Sequence, residues 1–305
     1  MGSVALLGLY PTCYCSYVGV ITRGNIRLLY KYLDPERIDV LSSSHIRFTQ
    51  PADFNDPFEF RPVISSAISK DEMDAAIERE LEKMVQEKIQ NIPAVIRSQI
   101  TPSQLESITR QLYKDHWPYL KEQFKKMGSE ASRIFIDKAN TLIGVLSLTE
   151  SNNNILMWSH YARSHKGFCV GFDTNSDFFN RKRSDVDEFY HLREVKYDKA
   201  RPNKLISQLN AVNMFLTKSI DWEYEKEWRM CSVLEDCDKT IDSKPYPIHL
   251  FKFPESAVKE VILGACMENS VKDNLLSLVR DKYAHISVKQ AKVSSEEFSI
   301  GFVDL

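Results

Sequence analysis

The sequence predicts an α+β protein, a mixed β-sheet carrying a long helical insertion. Three observations lead there. Runs such as His45-Ile46-Arg47-Phe48-Thr49 alternate apolar and polar residues with the period of a half-buried strand. Between Ser69 and about Ala139 the texture changes, and apolar residues recur at helical spacing through Met84, Ile89, Ile96, Leu105, Leu112 and Phe124. No repeat with a period of about 20–50 residues is visible, which sets solenoids and propellers aside.

Taken in order, Asn25–Leu33 reads as a short helix or strand, and His45–Thr49 as a strand. Gln50–Phe60 is turn chemistry: Asn55, Asp56 and two prolines favour a tight loop, pinned to an apolar surface by Phe54, Phe58 and Phe60. Asp71-Glu72 opens the first insertion helix, and Pro93 and Pro102 divide the insertion into several. Strands follow at Thr141–Leu148, Gly167–Phe172 and Glu194–Tyr197, and Asn203–Lys218 reads as an amphipathic helix. Further strands are expected through Leu234 and at His249–Phe253, Lys259–Leu263, Ile286–Val293 and Phe298–Val303, with a helix at Ser270–Tyr283. The expected organisation is an N-terminal extension at 1–22 and a single α+β domain at 23–305, with the helical insertion at 69–140.

Composition narrows the function. A formal net charge of −2 argues against a protein that holds nucleic acid by bulk positive charge. The six cysteines, Cys13, Cys15, Cys169, Cys231, Cys237 and Cys266, form no CxxC pair and read as reduced thiols of a cytoplasmic protein. The apolar N-terminus is interrupted by Pro11 and lacks the basic start of a signal peptide, so no membrane association is expected. Neither GxxxxGK, GxGxxG nor GxSxG occurs, which removes P-loop NTPases, Rossmann dehydrogenases and α/β-hydrolases.

Two segments hold the candidate chemistry. From Thr149 to Asp173 a loop, a short helix, a glycine turn and a strand follow one another, with Trp158, Ser159, His160 and Tyr161 crowding the helix. These aromatics are either core or one wall of a ligand cleft. His160, His165 and Cys169 match no standard zinc spacing, and no metal is expected. In the second segment, strand alternation places Glu227 and Arg229 on one face. They form either a mutual salt bridge at the sheet rim or a carboxylate aimed into a cleft, with Glu225 as the second candidate.

Four motifs occur in order: Leu29-Tyr30-Lys31-Tyr32, Phe54-Asn55-Asp56-Pro57-Phe58, Met157-Trp158-Ser159-His160-Tyr161-Ala162 with Gly167-Phe168, and Trp222-Glu223-Tyr224-Glu225-Lys226-Glu227-Trp228-Arg229. Together they resemble a bacterial and phage-associated group, domain-of-unknown-function family 2971. A second resemblance is to ADP-ribosyltransferase-like folds, with Tyr30-Lys31-Tyr32 in the place of the opening strand, the Trp158–Tyr161 helix as the middle element and Glu227 or Glu225 as the glutamate of the closing strand. Lys31 departs from that pattern, standing where a His is common. The second resemblance implies a mixed, mostly antiparallel sheet core and a NAD-dependent transferase in a bacterial conflict or toxin setting. Glu227 and Glu225 would be catalytic, and Tyr30, Lys31, Trp158, His160, Tyr161 and Arg229 would bind NAD as substrate. Arg229 or Arg47 would hold the pyrophosphate, and the acceptor would be a protein or a nucleic acid. Two other functions stay open. One is a ligand-sensing module whose helical insertion contacts a partner; the other is a nuclease using Asp56, Glu59 and Glu227 around a divalent ion.

Overall fold

The computed structural model describes residues 28–60, 63–66, 70–97, 99–201, 203–205 and 214–305. The extension expected at 1–22, with Cys13 and Cys15, lies outside the described residues. The described chain opens with β1 (Leu28–Leu33), α1 (Asp39–Ser43) and β2 (His45–Phe48), then β3 (Val63–Ser66). Helices α2 (Lys70–Gln90), α3 (Ala94–Arg97) and α4 (Pro102–Leu142) follow, with Pro93 and Pro102 at the starts where a missing N–H is harmless. β4 (Ile143–Thr149), α5 (Ile155–Tyr161) and β5 (Phe168–Asp173) come next, then the short strands β6 (Leu192–Glu194), β7 (Lys196–Asp198), β8 (Asn203–Leu205) and β9 (Thr217–Ser219). The chain closes with β10 (Glu227–Val233), β11 (Lys239–Ile241), β12 (Ile248–Lys252), β13 (Val258–Leu263), α6 (Asn269–Lys282), β14 (Ser287–Val293) and β15 (Ile300–Asp304).

Among the described residues the chain divides into two compact units. The smaller contains β3, α2, α3, α4 as far as Phe135, and β8; β3 and β8 pair in parallel. The larger contains the rest. Its main sheet has the order β15-β14-β13-β5-β1-β4-β10-β6. Within it β13 and β14 run parallel, joined through α6 as a parallel crossover requires, and the other neighbours are antiparallel. The expected α+β architecture with a mixed, mostly antiparallel sheet is therefore present. A three-stranded sheet β11-β12-β2 and a parallel pair β7-β9 accompany it.

Strand alternation along β1 supplies both cores. Leu29 and Leu33 pack with Leu146, Leu148, Met230, Phe172 and the α6 residues Leu275 and Val279. Tyr30 and Tyr32 face the other way, onto Met157, Trp158 and Ile262. One irregularity matters for function. β1 pairs with β5 over six rungs and β4 with β10 over seven, but β1 meets β4 at a single rung, Tyr30 opposite Thr149. The main sheet thus has a seam at its centre.

Two expectations are corrected. The helix expected over Asn203–Lys218 gives way to strand at Asn203–Leu205 and from Thr217, because β8 finds a ladder partner in β3 and β9 finds one in β7; Met214 and Phe215 between them are helical, and residues 206–213 lie outside the described set. Cross-strand pairing overrides local periodicity here. The single strand expected over Glu194–Tyr197 is two, β6 bonded to β10 and β7 to β9, with buried Val195 at the break.

The helix α5 is tightly seated. The Asn154 side chain caps its start by accepting from Met157 N at 3.1 Å. Beyond its end Arg163, Ser164 and His165 all take positive φ, 44°, 55° and 66°. The turn then runs into Gly167, where an added Cβ would stand 2.0 Å from the Leu33 carbonyl oxygen, whereas at Gly301 it would meet nothing within 4 Å. Gly167→Ala is accordingly expected to lower stability by about 2–4 kcal/mol, because the contact is backbone and has no rotamer to escape into, while Gly301→Ala changes it by less than about 0.5 kcal/mol. Urea denaturation of both variants checks the contrast.

Candidate functional site

A cavity of about 250 Å³ opens at the seam. Tyr30, Lys31 and Tyr32 of β1 line it together with Ser147, Leu148 and Thr149 of β4, Asp53, Phe54 and Asn55 of the loop after β2, and Met157 and Tyr161 of α5. Lys218, Glu225 and Glu227 complete its wall. Seam and cavity coincide because strands that share one rung leave room for side chains where a ladder would otherwise run.

Behind this wall lies a buried network of five charges. The Arg229 Nε and Nη2 donate to Glu227 Oε1 and Oε2 at 2.7 and 2.8 Å, a bidentate pair, and Nη2 also reaches Glu59 Oε1 at 2.8 Å. Its remaining Nη1 donates to the Phe215 carbonyl at 2.9 Å. The Lys218 ammonium contacts Glu59 at 3.1 Å, Glu225 at 2.5 Å and Glu227 at 3.0 Å. Tyr161 donates to Glu225 Oε1 at 2.6 Å and receives a bond from Asn55 Nδ2 at 3.2 Å. Thus the loop wall, α5 and the carboxylates are tied together. Phe54 and Phe60 pack 4.6 Å apart, and the Arg229 guanidinium lies 5.4 and 5.1 Å from their rings.

Lys226, between the two glutamates, has a left-handed backbone with φ 45° and ψ 53°. Its conformation closes the short 3₁₀ turn Ile220–Glu225 and starts β10, so both carboxylates enter the same buried space. Thr149 Oγ1 donates to the Glu225 carbonyl, and Glu150 N to the Lys226 carbonyl, which fixes that turn against β4.

The two carboxylates differ in their proton affinity. Burial raises the pKa of Glu225, and the Glu227 charge adds to the rise while Lys218 opposes it. Burial would raise Glu227 too, but Arg229 and Lys218 outweigh it and hold the group at about 2. Burial alone would lower the Lys218 ammonium; Glu227, Glu59 and Glu225 more than offset that and raise it. Lys31 is pushed down to about 8, chiefly by burial. Glu225 is therefore suited to exchanging a proton, and Glu227 to being a fixed negative charge.

Of the residues singled out in the sequence, Tyr30, Lys31, Tyr161, Glu225 and Glu227 come together around the cavity. Arg229 sits behind them, 1% exposed and fully engaged, so it organises Glu227 rather than facing a ligand. Its pair with Glu227 forms inside the protein, not at the sheet rim. Trp158 is 0% exposed and donates from Nε1 to the Asn152 carbonyl at 2.8 Å, which makes it core. His160 is exposed on the outer side of α5, its ring 6.5 Å from that of Trp222. Lys218 escaped notice because it closes a segment that resembled a helix. A lysine five residues before an aromatic-acidic turn carries no periodic signal. Glu59 is legible in retrospect as a carboxylate between Phe58 and Phe60.

The sequence model of a family described as protein of unknown function (DUF2971) matches residues 157–230. That segment is similar to the family. It runs from α5 through β10 and contains Tyr161, Lys218, Glu225, Glu227 and Arg229, so four-fifths of the charge network lies in the matched quarter of the chain. No curated protein and no solved structure matches the chain.

Two outcomes follow from this network. Replacing Arg229 by Met leaves Glu227 and Glu59 with Lys218 as their one shared cation and is expected to cost about 3–5 kcal/mol, measured by chemical denaturation at pH 7. The pH dependence has a definite sign. Folding lowers the Glu227 pKa, so the unfolded chain binds the proton first on acidification; the stabilisation is complete above 4.5 and drains away as pH falls toward about 2. Glu227→Gln flattens that acid limb, and denaturation series between pH 5 and pH 3 compare the two.

Proposed function

We propose that the chain is an ADP-ribosyltransferase-like enzyme that takes NAD as its donor and works in a bacterial conflict or toxin setting. The observation that carries this proposal is the convergence of three separate motifs, at Tyr30-Lys31, at Tyr161 and at Glu225–Glu227, on one cavity at the seam of a mixed sheet. The cavity is a little smaller than the ~300–1,000 Å³ of ordinary ligand clefts, so it takes one end of a dinucleotide and leaves the other at the rim. Its walls suit the nicotinamide end. Tyr30, Tyr32, Phe54 and Tyr161 offer aromatic surface to a cationic ring.

Transfer from NAD breaks the bond between ribose and nicotinamide, and the bonding electrons leave with the ring. Positive charge then develops on the sugar. Glu227, locked as an anion by Arg229 and Lys218, supplies a fixed negative field beside that charge without having to reorient. Glu225, with its raised proton affinity, accepts a hydrogen bond from a ribose hydroxyl or the proton of the incoming acceptor. Tyr161 and Lys218 hold it for that purpose.

A ligand-sensing module without turnover is the second reading, favoured by one observation: both Glu227 oxygens are already held by Arg229 and Lys218. A nuclease finds less support. Glu59 and Glu227 are neutralised by those same cations, and Asp56 Oδ1 is engaged by the Phe58 N–H at 2.8 Å, which leaves little charge for a divalent ion. Incubation with labelled NAD separates the first two. Nicotinamide release is expected from the wild-type chain, reduced about 10²-fold or more in Glu225→Gln and Glu227→Gln. A rise in melting temperature on adding NAD without any release would instead establish the module.

A further inference from the structure

The cations around the cavity have unequal fates. Lys218 is held by three carboxylates, Arg229 is enclosed by Glu227, Glu59 and the Phe215 carbonyl, and Arg47 is paired with Asp53. None of them is available to a ligand. Lys31 is different. It lines the cavity, and among the described residues its ammonium makes one hydrogen bond, from Nζ to the Ser147 carbonyl at 3.0 Å. Among the described residues no carboxylate stands at ion-pair distance from it. An ammonium has three donors, and one neutral acceptor is poor compensation for a charge withdrawn from water.

We propose that Lys31 is the anchor for a phosphoryl group of the ligand, so that the cavity takes a phosphorylated nucleoside with its phosphate against Lys31 and its sugar toward Glu225. This rests on the cavity being the ligand site and names the moiety that binds there. It also reassigns the anionic contact, since the two arginines for which the sequence suggested that role are engaged elsewhere. The aromatic walls at Tyr30, Tyr32 and Tyr161 take the base or pyridine ring, and the phosphate meets a lining cation that Glu227 and Glu225 attract without reaching ion-pair distance. Lys31 spans the seam from β1 to β4, so an anion drawn to it sits between two strands that share a single rung.

The competing role for Lys31 is structural, as a pin across the seam through Ser147. Calorimetric titration of the full chain with two matched pairs separates the roles: nicotinamide mononucleotide against nicotinamide riboside, and adenosine monophosphate against adenosine. In the wild type the phosphorylated member of a pair is expected to bind at least about tenfold more tightly. In Lys31→Met that preference falls to within about twofold, with the affinity for the unphosphorylated member retained. Lys31→Gln keeps an N–H donor for Ser147 and guards against a folding defect; it is expected to lose the preference in the same way. A structural pin would weaken both members of each pair equally in the Met variant and spare both in the Gln variant, which overturns the proposal. Failure of every phosphorylated probe to bind overturns it too. Preference in the adenosine pair with no binding in the nicotinamide pair upholds the anchor and removes the NAD reading.

Discussion

The ion pair between Glu227 and Arg229 is the constraint on which the larger unit's centre depends. A buried charge costs several kcal/mol to desolvate, and the two partners offset that only with near-ideal geometry and further bonds to every remaining polar atom. That requirement reaches well beyond β10. Arg229 needs Glu59 from the loop after β2 and the carbonyl of Phe215, and Glu227 needs Lys218 from β9. Three stretches of chain, around Glu59, Phe215–Lys218 and Glu227–Arg229, are thus fixed to one point. The loop carrying Phe54 and Asn55 becomes a cavity wall because Glu59, a few residues on, cannot leave the network.

The network contains three carboxylates and two cations, Glu59, Glu225 and Glu227 against Lys218 and Arg229. With one negative charge in excess, the carboxylates cannot all be held equally well. Arg229 makes no bond to Glu225, and Glu225 is the group whose proton affinity rises. Two glutamates two residues apart are thereby shifted in opposite directions, Glu227 down and Glu225 up. Separation of proton affinities between neighbouring acids is a common mark of sites that move protons. The acid whose proton affinity rises is the one hydrogen-bonded to Tyr161 at the cavity.

Much of the fold was legible because it follows from short-range pattern. The β10 alternation put Glu227 and Arg229 on one face, and the prolines at 93 and 102 marked helix starts. The site was legible only in part. Trp158 and Tyr161 lie on the same short helix with the same aromatic character, yet one is sealed in the core and the other reaches the cavity. Which is which depends on where Tyr32 and Asn152 stand, and that is tertiary information. Lys218 and Glu59 were hidden for a related reason: a charge is recognised as buried only when its counter-charges, here from two other segments in each case, are in view.

The single Tyr30–Thr149 rung has a mechanical side. Backbone ladders give a sheet its stiffness, and here they run continuously on either flank of the centre, from β15 to β1 and from β4 to β6. Compliance is therefore concentrated along one line, between two stiff plates that share a narrow joint. The Lys31 side chain crosses that joint, from one plate to a carbonyl of the other.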